Sequence, residues 1–267
     1  MATLQMNFLS MKLGMQTNVT VCLPGYTPSP DNAGKSYEEL YPTEEKFRTL
    51  WLLGTAAGDD GEWLRESGIL RLADKHRIAL VFPCTYEKLY SDEPEGQKFS
   101  EAIADELYAV CTGMFPLSLR REDNIIGGAQ LGAYGALKCA LTRPEKYGSV
   151  IMLGGVYEQG VREGYFSALN AELIRCGLTP HCGLDEAVES NAELKPLPDA
   201  PLPAVWLARA ADDPLAPFAC RAVENLRADG FNVLSEHIYE GPDDWDFRDR
   251  AIRDALSVLC SVWKEDA

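Results

Sequence analysis

The sequence has no apolar run long enough to cross a membrane, no cluster of basic residues and only three histidines. A bilayer requires about 20 apolar residues in succession, so a membrane-spanning helix is not expected. The amino terminus also lacks the basic start and apolar segment of a signal peptide. A formal net charge of −16 repels phosphate backbones and anionic lipids. We therefore expect a cytoplasmic protein that binds neither nucleic acid nor membranes.

The eight cysteines are scattered, and most lie in apolar segments, where a free thiol behaves as a small apolar side chain. Cys176, His181 and Cys182 have the wrong spacing and ligand number for a zinc site. No metal and no cofactor are predicted. With 267 residues, of which 46% are hydrophobic, the chain can form one domain that covers residues 1–267.

Segments rich in branched and aromatic residues alternate with segments that have helical periodicity, a pattern that predicts a parallel sheet with helices on both faces. The first two predicted strands are separated by a short turn, which indicates an antiparallel hairpin at the sheet edge. The predicted strands are Thr3–Phe8, Asn18–Leu23, Thr49–Leu53, Ala79–Phe82, Asn124–Gly128, Val150–Leu153, Ala204–Ala208 and Asn232–Tyr239. The predicted helices are Glu62–Lys75, Lys98–Met114, Leu131–Arg143, Phe218–Ala228 and Trp245–Trp263.

Two regions break this alternation. The stretch from Gly25 to Glu45 is polar and contains proline and glycine. The longer excursion from Tyr157 to Pro203 is predicted to form a small lid over the functional site, because long insertions in compact domains are commonly functional.

One tight turn carries the strongest motif. The predicted strand that ends at Gly128 runs into Gly128-Ala129-Gln130-Leu131-Gly132, and a helix follows. This is the spacing of the G-x-S-x-G turn of hydrolases, in which small residues flank a nucleophile that is held out into the site. Gln130 occupies the nucleophile position.

Four segments together resemble tributyrin-type, esterase D-like carboxylesterases almost from end to end. Residues 126–138 resemble the family's I-[AG]-G-x-S-M-G-G-Y-G-A-x-K, and residues 13–19 its opening L-G-M-x-x-x-V. Residues 50–64 align without gaps to the family's L-Y-L-L-H-G-x-x-G-[DN]-x-x-x-W-L, and residues 240–249 resemble the segment that carries the catalytic histidine. The resemblance implies an α/β-hydrolase fold with a mostly parallel, eight-stranded sheet.

The resemblance also assigns positions. Asp213 takes the place of the catalytic acid, Asp243 that of the histidine, and Gln130 that of the serine. Thr55 lies in the loop that normally supplies an oxyanion donor, and with Ala56 and Leu131 it is predicted to form the oxyanion site and pocket.

Three departures at separate positions indicate a pseudo-hydrolase with a vestigial ligand pocket. A glutamine amide is neither nucleophile nor base, and a carboxylate with an ordinary pKa of about 4 is a poor base near neutrality. Thr55 also adds a β-carbon where the family has glycine. The alternatives are a weak or altered carboxylesterase that acts on short-chain acyl esters, and a structural protein without a pocket function.

Several roles remain open for these side chains. Gln130 can fill a dead pocket by hydrogen bonding to neighbours such as Asp213, or its amide can recognise a ligand. Asp213 and Asp243 can share a proton or hold a cation. The candidate partners are a small-molecule ligand and, by family resemblance, further copies of the chain.

Residues outside the assigned positions are candidates for lining the pocket: Cys84, Tyr86 and Trp245. Cys84 and Tyr86 follow a predicted strand at the end of the sheet where open α/β folds bind ligands. Cys84 is also a candidate for a relocated nucleophile, and His237 is a candidate for a replacement base.

Overall fold

The computed structural model describes residues 1–26, 28–84, 90, 92–93, 95–157, 164–178 and 194–265. In these residues eight strands form one sheet in the order β1-β2-β4-β3-β5-β6-β7-β8. β1 pairs antiparallel with β2 and β2 with β4, and every later pair is parallel. The strands are β1 Ala2–Ser10, β2 Met15–Leu23, β3 Thr49–Leu53, β4 Ala79–Pro83, β5 Asn124–Ala129, β6 Ser149–Leu153, β7 Ala204–Ala210 and β8 Val233–Tyr239.

The predicted α/β-hydrolase fold is confirmed, including the antiparallel hairpin at one edge of the sheet. The central strands β3, β4 and β5 are buried along their whole length, in keeping with their largely apolar sequences.

The helices cover both faces of the sheet. They are α1 Tyr37–Leu40, α2 Glu62–Glu66, α3 Ile69–His76, α4 Phe99–Glu101, α5 Tyr108–Met114, α6 Leu131–Thr142, α7 Gly164–Arg175, α8 Ala216–Ala228 and α9 Trp245–Glu265. A π-helical segment, Ala102–Leu107, joins α4 to α5. None of the described helices is long and apolar enough to cross a membrane.

One predicted helix is divided in two. The sequence pattern predicts a continuous helix from Glu62 to Lys75, but α2 ends at Glu66 and α3 begins at Ile69. Ser67 adopts an extended conformation at the break, and the backbone N–H of Gly68 donates to Asp249 Oδ1 at 2.6 Å. The break therefore ties this chain segment to α9.

Two apolar clusters lie on opposite faces of the sheet. One joins the strands to α5 and α6, where Trp51 stacks on Tyr108, and the other joins them to α3 and α9, around Phe82, Trp206 and Phe247. The predicted lid region is described only in part: α7 lies within it, whereas residues 158–163 and 179–193 lie outside the described residues.

Candidate functional site

The turn between β5 and α6, residues 128–132, is called the elbow below. Gln130 at its apex has φ 50° and ψ −111°. A residue with a β-carbon is strained in this conformation, which is the geometry that holds a side chain out from a strand-to-helix turn. A β-carbon on Gly128 would lie 2.5 Å from the carbonyl carbon of Gly132, and one on Gly132 would lie 2.6 Å from the carbonyl oxygen of Gly54. Only glycine fits at both flanks.

Gln130 is joined to the far end of the chain. Its Nε2 donates to Asp243 Oδ2 at 2.8 Å, and Asp243 Oδ1 accepts from Arg248 Nε at 3.1 Å. The side chains of Asp243 and Arg248 are 5% and 9% exposed, so this ion pair is almost fully removed from water. Both carboxylate oxygens of Asp243 are therefore engaged.

Asp213 follows β7 and is buried beside this pair. Its Oδ1 accepts the backbone N–H of Leu215 at 2.8 Å. Burial raises the pKa of Asp213 to about 6, and repulsion from Asp243 adds to the increase, whereas the Leu215 hydrogen bond and the Arg248 charge oppose it. The structure therefore brings Gln130, Asp213 and Asp243 into one site.

The loop after β3 is hydrogen-bonded to a buried carboxylate at the start of α2. The backbone N–H of Thr55 donates to Glu62 Oε1 at 2.5 Å, and Thr55 Oγ1 donates to Glu62 Oε2 at 2.9 Å. Glu62 is buried at the start of α2, and burial raises its pKa. In this arrangement the Thr55 amide points at an internal carboxylate and is not available to a substrate oxygen.

Ala56 and Leu131, the other two residues predicted for the oxyanion site, are each 2% exposed. Trp245 packs edge to face against Trp63, with ring centroids 5.0 Å apart, and the Arg248 guanidinium carbon lies 4.9 Å from the Trp245 ring centroid. Trp245 thus supports the arginine that pairs with Asp243.

The other candidates lie elsewhere. Cys84 follows β4 and lines a small cavity with Leu13, Phe99 and Glu106. Tyr86 and His181 lie outside the described residues. His237 is exposed on β8, its ring between those of Trp206 and Tyr239. In the part of the chain that the structure describes, no three His, Cys, Asp or Glu side chains are grouped so that they could hold a metal ion.

Glu62 and Arg248 were not identified as site residues from the sequence. Glu62 stands at a variable position of the family motif, and Arg248 lies beyond the position of the histidine, so neither carries a motif signal. Their roles follow only from burial beside Thr55 and Asp243.

Comparisons with known proteins agree with this architecture. The family model "Esterase", described as "Putative esterase", matches residues 10–212. An acetyl esterase from Caldicellulosiruptor saccharolyticus is 26% identical over 271 residues, covering 98% of this chain and 99% of the relative.

Two solved structures from Staphylococcus aureus are also similar. The fluorophosphonate-binding serine hydrolase FphF shares 25% identity with a TM-score of 0.69, covering 97% of this chain and 98% of its own. The S-formylglutathione hydrolase FrmB has a TM-score of 0.72 with the same coverage, and at 24% identity it bears on the fold alone.

Proposed function

This chain belongs to the esterase family and has the α/β-hydrolase fold, and we propose that it is a member that does not catalyse ester hydrolysis. The observation that carries the proposal is the Gln130–Asp243 hydrogen bond at the elbow. A serine hydrolase needs a hydroxyl that attacks the ester carbonyl and a base that takes its proton. Here an amide and a carboxylate hold the corresponding positions and bind each other.

The electrostatics of the site support the same proposal. Asp243 is paired with Arg248, so its carboxylate is already neutralised by a buried cation. The Thr55 amide, which lies in the predicted oxyanion loop, is bound to Glu62. A developing negative charge on a substrate oxygen would meet a buried carboxylate in that loop rather than a free donor.

What remains is a buried polar network on a hydrolase scaffold. Buried hydrogen bonds such as those of Asp243 with Gln130 and Arg248 help to specify a unique local structure. We propose that any pocket beside the network has kept a binding role for a small acyl compound, with Gln130 as its polar contact.

The second candidate function is a weak carboxylesterase that acts on short-chain acyl esters. The full-length similarity to an acetyl esterase favours it. Burial raises the pKa of Asp213 to about 6, close enough to neutrality for its carboxylate to act as a general base. It would have to activate water directly, because the described site contains no serine or cysteine at the elbow.

Hydrolysis of p-nitrophenyl acetate and butyrate separates the two candidates. We expect no turnover by the native protein above that of a Gln130→Ala/Asp243→His variant, which has an imidazole but no hydroxyl. We expect Gln130→Ser/Asp243→His to exceed this control clearly, because only this variant combines a nucleophilic hydroxyl with a base that takes its proton. Circular dichroism must show that all three proteins are folded. Native turnover that is lost in Asp213→Asn would overturn the first proposal and support the second.

A further inference from the structure

The outer edge of β1 has no partner strand among the residues that the structure describes. β1 runs over nine residues, Ala2–Ser10, and most of its side chains are exposed. No described strand pairs with its outer side, so a row of backbone N–H and C=O groups faces outward. Such an edge is a template for pairing with another strand unless charge, proline or a covering segment blocks it.

Charge is nearly absent from this hairpin. A quarter of the chain is charged, yet the only charged residue from Ala2 to Leu23 is Lys12, and no proline occurs in that range. The opposite edge strand, β8, differs: it contains Glu236, which accepts from Arg227, and the exposed His237. Charged side chains on an edge strand oppose pairing with another strand. β8 carries such a side chain in Glu236, whereas β1 carries none.

We propose that a second copy of this chain pairs with β1 across a two-fold axis, so that two sheets join into one. The sequence of β1 is complementary to itself in one register. With Met6 opposite the Met6 of the second copy, the residues from Thr3 to Leu9 are paired and like faces stay together, since antiparallel partners share a face. Ser10, at the end of the strand, is fully buried and takes no part. In this register Leu4 lies opposite Phe8, and Gln5 lies opposite Asn7.

Two further observations favour a second copy over an unrelated extended peptide. Two chains with a net charge of −16 repel each other over most of their surface, and an uncharged hairpin is where they can approach. The exposed side chains Leu4 and Leu9, 37% and 62% accessible, would also be covered by the pairing. This proposal is independent of the catalytic state of the elbow.

The test places like charges opposite each other in the proposed register. In a Gln5→Glu/Asn7→Glu variant each glutamate faces a glutamate of the other copy, and directly opposed like charges destabilise a strand pair. The matched control is Gln16→Glu/Asn18→Glu. It makes the same two changes on β2, which is an interior strand, and it disturbs the same Asn7–Asn18 hydrogen bond.

Analytical ultracentrifugation and light scattering report the outcome for the native protein and each variant. We expect a native dimer, a monomer for Gln5→Glu/Asn7→Glu and a dimer for the control. Mixing the glutamate variant with Gln5→Lys/Asn7→Lys should give a heterodimer, which native mass spectrometry identifies by mass. A native monomer, a dimer that the edge variant leaves intact, or dissociation by both variants without rescue would overturn the proposal.

Discussion

Gln130 and Asp243 are 113 positions apart in the chain, and one hydrogen bond of 2.8 Å joins them at the apex of the elbow. The bond links a turn that strains its central residue to a carboxylate that is itself held by Arg248. The strained apex of the elbow therefore carries an amide side chain rather than a hydroxyl or a thiol.

The strain at position 130 can be measured by comparing Gln130→Gly with Gln130→Ala. Both variants lose the amide that binds Asp243, but only alanine keeps a β-carbon at φ 50°. Glycine adopts positive φ without steric cost. We expect Gln130→Gly to be more stable than Gln130→Ala by about 1 kcal/mol in urea unfolding.

The same pair of substitutions at an unstrained helical site serves as the control. At Ala136, inside α6, glycine in place of the native alanine should destabilise the protein, because glycine is the poorer helix former. An alanine variant at position 130 that equals or exceeds the glycine variant in stability would show that the elbow is not strained.

Asp213 makes stability depend on pH. Its pKa in the folded protein is raised to about 6, above the value of about 4 expected in the unfolded chain, so the folded state binds more protons between these values. The stability that this carboxyl contributes is present below pH 4 and is lost as the pH rises through 6. Asp213→Asn removes this loss and keeps an oxygen that can accept the Leu215 N–H.

We therefore expect Asp213→Asn to stabilise the protein at pH 8 by about 1–3 kcal/mol and to have little effect near pH 4. Thermal unfolding across this range is the measurement. Asp212→Asn, the exposed neighbour, is the control and should shift neither end. A destabilised Asp213→Asn protein at pH 8 would mean that the ionised carboxylate stabilises the fold.

The fold was predictable because strand and helix patterns of apolar residues alternate along most of the chain. The strand Thr49–Leu53 was predicted with its observed bounds, and the hairpin followed from a short turn between two apolar runs. The break at Ser67 and Gly68 was not predicted, because the apolar spacing of α2 and α3 continues across it. In the structure Ser67 Oγ donates to the carbonyl of Trp63 at the break, and the Gly68 N–H donates to Asp249.

The candidate site was predictable only where a motif surrounds it. Gln130 stood out because glycines with tight packing flank it, and those contacts leave a sequence pattern. Glu62 and Arg248 leave none, since a charged residue near the start of a helix is ordinarily an exposed residue. Glu62 and Arg248 belong to the site because they are buried beside Thr55 and Asp243. The burial of a single charged side chain cannot be predicted from the local sequence.

Arg248 neutralises a site that is rich in carboxylates. It pairs with Asp243, and its charge lowers the pKa values of Asp213 and Glu62, both of which burial raises. Removing one partner of a buried pair leaves the other charge uncompensated. We expect Arg248→Met to cost about 3 kcal/mol in urea unfolding at pH 8, and less at pH 5, where protonation of Asp213 relieves part of the repulsion.

The matched control is Arg250→Met on the same helix, where the arginine is exposed and lies over the ring of Tyr239. It should cost well under 1 kcal/mol at either pH, as exposed pairs and contacts generally do. Equal losses for the two variants would indicate that Arg248 stabilises through its packing on Trp245 rather than through its charge.

Fluorophosphonate labelling tests for a nucleophile without depending on the choice of ester. In this reaction a serine oxygen bonds to phosphorus, fluoride leaves, and the hydroxyl proton passes to a neighbouring base.

The native protein should not be labelled, because Gln130 supplies no hydroxyl and Asp243 is bound by both Gln130 and Arg248. Gln130→Ser alone should label poorly for want of a base, and Gln130→Ser/Asp243→His should label at position 130, as peptide mass spectrometry would show. Gln130→Ala/Asp243→His controls for reaction with the introduced imidazole. Labelling of the native protein at another residue would instead identify a relocated nucleophile, and the same residue would then have to account for any ester hydrolysis.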